Sequence, residues 1–204
     1  MDGDDHNSAP AKKWQQKQRK APKPLDARQL DEMALGYVAR FATSAGRLTA
    51  YLKRKIRERG WDGETPADLA GVVERLVALN YIDDAGFAQA RGAGLMRKGY
   101  GARRISETLS RDGIAAPLIA KAGGSEMERR TAALEFARRR RLGPFGRGSG
   151  ADDDGPAVRL DPATRAKQVA AMIRAGHPLA SARAMVEAGN GLAAQEWVDE
   201  ADDS

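Results

Sequence analysis

Apolar positions along the chain follow a helical period from about residue 26 onward. Leu30, Met33, Ala34, Tyr37, Val38 and Phe41 recur at three- and four-residue steps, which places one apolar stripe on a helix beginning near Asp26. Ser44 is a good N-cap for a second helix, whose stripe is Leu48, Tyr51, Leu52 and Ile56. Gly60 sits where a left-handed residue ends that helix, with apolar Trp61 after it. Thr65-Pro66 predicts a third helix start, an N-cap followed by an N1 proline, with Leu69, Val72, Val73, Leu76 and Leu79 as the buried face. Asp84 is then placed as the cap of a helix carrying Phe87, Ala90 and Leu95 and ending at Gly99. Another helix runs from Gly101 to Asp112 on Ile105 and Leu109, closed by Gly113 and Ile114, and Pro117 opens a short one with Leu118 and Ile119. Ser125 and Glu128 form a capping box for a helix with Met127, Leu134 and Phe136 whose last turn is Arg138 to Arg141. Asp161-Pro162 starts a helix with Val169, Met172 and Ile173, ended by Gly176, and Pro178 opens the last one with Leu179, Ala182 and Val186.

The helix ends repeat. Arg57-Glu58-Arg59-Gly60-Trp61, Arg111-Asp112-Gly113-Ile114 and Arg174-Ala175-Gly176-His177 each bring a helix to glycine and an apolar or aromatic residue. The glycines are 53 and 63 residues apart, and the longer interval holds a Gly/Asp-rich stretch. The expectation is an all-α protein of three tandem three-helix repeats in an elongated, curved molecule, because such a unit buries little surface alone. The expected organisation is a disordered basic tail at 1–24, repeat 1 at 25–82, repeat 2 at 83–123 and repeat 3 at 124–198. Within repeat 3 a flexible insertion is expected at 143–160, and an acidic tail at 199–204.

Composition narrows the chemistry. The 204 residues include no Cys and two His, His6 and His177. A disulfide framework, a thiolate nucleophile and a Cys-based metal site are therefore excluded. The first residues carry Asp2, Asp4 and Asp5 and no apolar run, and no stretch is long enough to span a bilayer, so a cytoplasmic location is expected. The Gly-rich run 143–150 lacks a following Lys-Ser/Thr and opens no helix, so it does not read as a phosphate loop. Asp83-Asp84 is explained by capping, His177 by packing after a helix end, and Asp152 to Asp154 by a solvated loop. No acid, base, nucleophile or metal set converges, so the expectation is a non-enzyme with no cofactor and no metal.

Charge supplies the positive signal. The formal net charge is +6 overall, yet residues 25–142 alone carry 22 basic and 15 acidic side chains, against six basic and ten acidic after 142. The basic residues cluster on helices, at Arg47, Lys53, Arg54 and Arg57, at Arg97, Lys98, Arg103 and Arg104, and at Arg138 and Arg139. These ten are the candidate binding residues, since guanidinium forks suit phosphate and carboxylate groups. On the charges alone the expectation is a helical module that binds nucleic acid generally.

Two stretches carry a closer likeness. Asn80-Tyr81-Ile82-Asp83-Asp84-Ala85-Gly86-Phe87-Ala88, followed by Lys98-Gly99-Tyr100-Gly101-Ala102-Arg103-Arg104-Ile105, resembles the central signature of the RecX regulatory proteins, with Asn80 where that family usually has glycine. Tyr51-Leu52 and Arg57 to Gly60 are similar to its first unit. The resemblance implies tandem three-helix repeats and a monomeric regulator of the RecA recombinase. Such a regulator would bind the RecA filament in its groove, beside single- or double-stranded DNA, and inhibit its ATPase, strand-exchange and coprotease activities. Read physically, Tyr81, Ile82 and Phe87 are expected in the core, and Gly99 and Gly101 at a tight helix–helix joint.

Overall fold

A computed structural model describes residues 23–146 and 160–201. The class is all-α: among the described residues there are ten α-helices and no strand, only one isolated bridge between Leu25 and Trp61.

The helices fall into three groups, each around its own apolar cluster. The first group is α1 (Ala27–Val38), α2 (Ala45–Arg59) and α3 (Leu69–Ala78). Asp26, Ser44 and Asp68 cap them by accepting main-chain N–H bonds at the start of each helix. Their stripes bury Leu30, Leu48, Leu52, Val72, Val73, Leu76 and Ile82 together. The second group is α4 (Asp84–Arg97), α5 (Ala102–Arg111) and α6 (Ala116–Lys121), packed on Ala88, Ile105, Leu109, Ile114 and Ala122. The face of α4 here is small: Gly92 lies so close to Ala122 that a Cβ would fall 2.6 Å from its carbonyl oxygen. The third group is α7 (Glu126–Arg140), a 3₁₀ turn (Gly143–Phe145), α8 (Pro162–Arg174), α9 (Leu179–Glu187) and α10 (Gly191–Asp199). Its core joins Leu134, Met172, Met185, Val186 and Val198.

Adjacent groups meet at a glycine. In the first joint Gly46, in the opening turn of α2, abuts Gly113 beyond α5; a Cβ on either would lie 2.6 Å from the other's Cα. The Ser44 hydroxyl donates to the Asp112 carbonyl, and the Ala45 N–H donates to the Asp84 carboxylate at 2.9 Å. In the second joint Gly101, just before α5, abuts Gly176 beyond α8. There the Gly101 and Arg103 N–H groups donate to the Ala175 and Gly176 carbonyls at 3.0 and 3.2 Å. Each time the start of one group's second helix seats on the end of the next group's second helix. The corresponding end of α2, at Gly60, is met by the chain's own segment instead: Leu25 N–H donates to Gly60 O, and Arg59 holds the Lys23 carbonyl through Nε and Nη2.

Several expectations change. The third helix starts at Leu69 under Asp68, not at Thr65-Pro66, because the Asp68 carboxylate takes the Gly71 N–H. Asp83, not Asp84, caps α4, accepting from Ala85 and Gly86, and this frees Asp84 for the first joint. The third group has four α-helices rather than three, since Asn190 caps α10 by accepting from Ala193 N–H. Gly143 and Pro144, expected in the flexible insertion, are buried, and Phe145 packs against the third core; 147–159 lie outside the described residues, as do 1–22 and 202–204. Arg141 closes α7 in a left-handed conformation rather than continuing its last turn. Tyr81, expected in the core, is 56% exposed, and Phe41 and Leu79 also face outward. Asn80 has φ +57°, the region that favours glycine and that asparagine tolerates better than most residues.

Candidate anion-binding interface

Two clefts gather the basic side chains, one beside each joint. The first has a volume of about 960 Å³ and lies between α1 and α2, reaching the end of α5. Arg40, Arg47, Arg54, Arg57, Arg59 and Arg111 line it against one carboxylate, Glu32, which pairs with Arg28 at 3.1 Å. Its floor is aromatic. Tyr37 and Tyr51 stack with centroids 4.3 Å apart, and Phe41 continues the row 5.3 Å from Tyr37. The Arg54 guanidinium lies 5.5 Å from the Tyr51 ring and 2.8 Å from Glu58. Hydrogen bonds from Lys55 and Arg54 hold the Glu58 carboxyl below the usual carboxylate range, so Arg54 is partly neutralised. Arg47 and Arg91 share Asp112, at 4.0 and 3.5 Å. Arg40 and Arg57 have no ion pair among the described residues.

The second cleft, about 440 Å³, lies between α5, α7 and α8. Its lining contains Lys98, Arg104, Arg139, Arg140 and Arg174 and no carboxylate. Among the described residues only Arg139 of these has an ion pair, with Glu135 at 3.7 Å, and its Nη2 donates to the Arg97 carbonyl at 2.9 Å. Tyr100 and Phe136 supply the rings, 5.8 Å from Arg104 and 5.9 Å from Arg140. Several like charges with one counter-charge outside the lining repel one another and raise the local potential, which makes the cleft a trap for an anion. Behind it His177 is buried, its Nε2 3.0 Å from the Gly99 carbonyl and its ring against Phe136. Burial holds the imidazole below its ordinary pKa, partly offset by that hydrogen bond. The ring is therefore neutral near pH 7, with Nε2–H donating.

The candidate residues divide accordingly. Arg47, Arg54 and Arg57 line the first cleft, and Lys98, Arg104 and Arg139 the second. Arg97 lies beside Lys98 in a neighbouring hollow with Arg91. Arg103 is spent on structure, donating to the Ile173 carbonyl at 2.8 Å and pairing with Glu107. Arg138 is half-buried with its guanidinium 5.5 Å from the Phe145 ring, and Lys53 is exposed on α2 outside both clefts. The ten candidates leave out Arg40, Arg111 and Arg174, and also Arg59 and Arg140, which belong to the same basic clusters. For two of these the signal was in plain view: Arg111 and Arg174 each stand two residues before a joint glycine.

Fold and site together define an all-α tandem-repeat protein that presents cationic, aromatic-floored clefts at its joints. A family model described as RecX, second three-helix domain, matches residues 83–122. The regulatory protein RecX of Myxococcus xanthus (strain DK1622) is 27% identical over 192 residues, covering 90% of this chain and 97% of that protein. The crystal structure of RecX from Lactobacillus salivarius superposes with a TM-score of 0.59 at 14% identity, over 79% of this chain and 94% of that one, and so matches the fold. The chain is thus similar to RecX regulatory proteins over most of its length, and its second three-helix group matches the RecX family model. No helix among the described residues is long and apolar enough to cross a membrane.

Proposed function

We propose that the protein binds the RecA nucleoprotein filament as a monomer and inhibits its ATPase, strand-exchange and coprotease activities during recombination and repair in the cytoplasm. It does so as a binding protein, without turnover of its own. Similarity to a regulatory protein over most of the chain supports the reading. The observation that carries it is the second cleft, where cations from three helices converge with no carboxylate among them. A DNA-bound filament is densely anionic, and a row of basic clefts along a repeat array complements such a polymer.

The test is ATP hydrolysis by RecA on single-stranded DNA as the protein is added. Hydrolysis should fall as the protein approaches stoichiometric amounts. The double variant Arg54→Glu/Arg104→Glu should lose that inhibition with its helicity by circular dichroism unchanged. No change in hydrolysis with the unaltered protein overturns the reading. Nucleic-acid binding without RecA is the second reading, favoured by the unpaired cations of both clefts. It predicts affinity that falls steeply with salt.

A further inference from the structure

The two clefts are built the same way, although the groups around them differ. Each flanks a glycine–glycine joint. Each takes one arginine from two residues before the C-terminal glycine of the joint, Arg111 or Arg174, and one from three residues after the N-cap of the helix that starts at the joint, Arg47 or Arg104. Each sets a guanidinium near a tyrosine ring, Arg54 by Tyr51 and Arg104 by Tyr100. A feature that follows the joint recurs once per joint, so a linear ligand meets the same chemistry twice.

We propose that the joint clefts are two equivalent stations for one continuous strand of single-stranded nucleic acid, each holding backbone phosphate on its arginines and an unstacked base on its rings. The chemistry selects the strand. Phosphate alone would need only the cations, and a duplex offers phosphate while its bases stay stacked inside. A single strand offers both phosphate and an open base face, and stacking plus a basic groove is the general means of holding it. Phe41, 57% exposed at the end of the Tyr37–Tyr51 row, leaves ring surface open to solvent in the first cleft. The proposal rests on the reading of these clefts as anion sites but not on RecA, and its test omits RecA.

Two linked stations make binding depend on strand length. A strand too short to reach both clefts engages one; a strand that spans them gains the second contact as an intramolecular event, worth about 100-fold or more. The experiment measures fluorescence anisotropy of labelled oligothymidylates from about 4 to about 30 nucleotides, a range bracketing the usual size of single modules and their tandems. The full-length protein is used. Affinity should rise in a step at one length. Arg40→Ala/Arg57→Ala in the first cleft, or Lys98→Ala/Arg174→Ala in the second, should each abolish the step, leaving long and short strands within about threefold of each other. Each pair should also lower the salt slope for the long strand by about one per phosphate contact removed. All four side chains are exposed, so melting temperatures should match the unaltered protein. The basic residues 1–24 are present throughout, and what they contribute cancels.

A smooth rise without a step overturns the proposal. So does a step that survives both variants, or competition by duplex DNA of equal length as effective as by the single strand. If RecA inhibition persists while the step is absent, this inference fails and the regulatory reading stands. If the step is present and RecA hydrolysis is untouched, the reverse holds.

Discussion

The first and second joints seat glycine on glycine in the same way, yet different chemistry holds them. At the first, side chains do the holding: Ser44 donates to the Asp112 carbonyl, Asp84 accepts from Ala45 N–H, and Arg47 and Arg91 flank Asp112. At the second, main chain bonds to main chain, through Gly101 and Arg103 N–H, with one buried imidazole and the Arg103 guanidinium added. What both keep is the absence of a Cβ. Close backbone approach is thus the constant of this architecture, and the polar groups that hold it are interchangeable.

The largest effect should come from closing that approach. In Gly101→Ala the new methyl would run into the Gly176–His177 backbone, which cannot swing aside as a side chain can. Overpacking and the loss of two main-chain hydrogen bonds should together cost about 3 kcal/mol or more. Gly46→Ala meets Gly113 backbone but breaks no main-chain bond across its joint, so about 1–3 kcal/mol is expected. Thermal unfolding of the two variants against the unaltered protein measures both. Equal losses would mean that the main-chain bonds of the second joint add nothing.

The side chains of the first joint come next. Ser44→Ala removes both the N-cap of α2 and the bond to the Asp112 carbonyl, and should cost about 1–2 kcal/mol in the same assay. Ser44→Thr keeps the hydroxyl, and rescue by it would separate the hydrogen bonds from packing. At the second joint no serine or carboxylate stands in the corresponding place. If Ser44→Ala were silent, the first joint would rest on glycine contact alone and the contrast would collapse.

The joints also explain what the sequence made legible. Helices and cores follow from local periodicity, and the recurrence of Gly60, Gly113 and Gly176 exposes the repeat. Gly99 and Gly101, expected at a tight helix–helix joint, both stand where backbone approaches closely: a Cβ on Gly99 would meet the Phe136 backbone and one on Gly101 the Gly176–His177 backbone. Asp84 was misread because capping is a local rule: Asp83 and Asp84 both suit an N-cap, and only the fold brings Ala45 within reach of the second. The helix α10 hid behind Ala188-Gly189-Asn190, where a short polar break separates two apolar stretches that look like one fading helix. Tyr81 looked like core because it adjoins Ile82, but the two side chains leave the same turn in opposite directions, one exposed and one buried. For the site, clustering along the sequence found the right helices but not the right members. Arg103 and Arg104 are neighbours in sequence, yet one ties down the joint and the other lines the cleft. Arg111 and Arg174 reach their clefts from the following group, a distance that no local pattern encodes.

The smallest expected effect concerns the imidazole of the second joint. His177 is held below its ordinary pKa of 6.5 by burial, so the folded chain resists protonating it while the unfolded chain does not. The unfolded state then binds more protons below that value, and stability must fall as the pH drops through and below about 6.5. Above it the contribution is fully present. The carboxylates whose pKa is lowered in the fold, Glu58, Glu126 and Asp161, start from 4.5, 4.5 and 3.8, so they act only in more acidic solution. Urea midpoints between pH 7.5 and 5.5 therefore isolate histidine. The unaltered protein should lose stability on acidification across that window. His177→Gln, which can still donate to the Gly99 carbonyl but does not titrate, should be flat, with His6 present in both. Protonation of His177 would also add a cation behind Lys98, Arg104 and Arg174, where the second cleft has no carboxylate to offset it. The first joint has no titrating group of this kind, so the clefts should respond differently to acid. In the strand assay at pH 5.5 the unaltered protein would then show a change confined to the second cleft, present in Arg40→Ala/Arg57→Ala and missing from His177→Gln. An equal loss of stability in His177→Gln would assign the acid sensitivity elsewhere and leave the two joints alike in their response to pH.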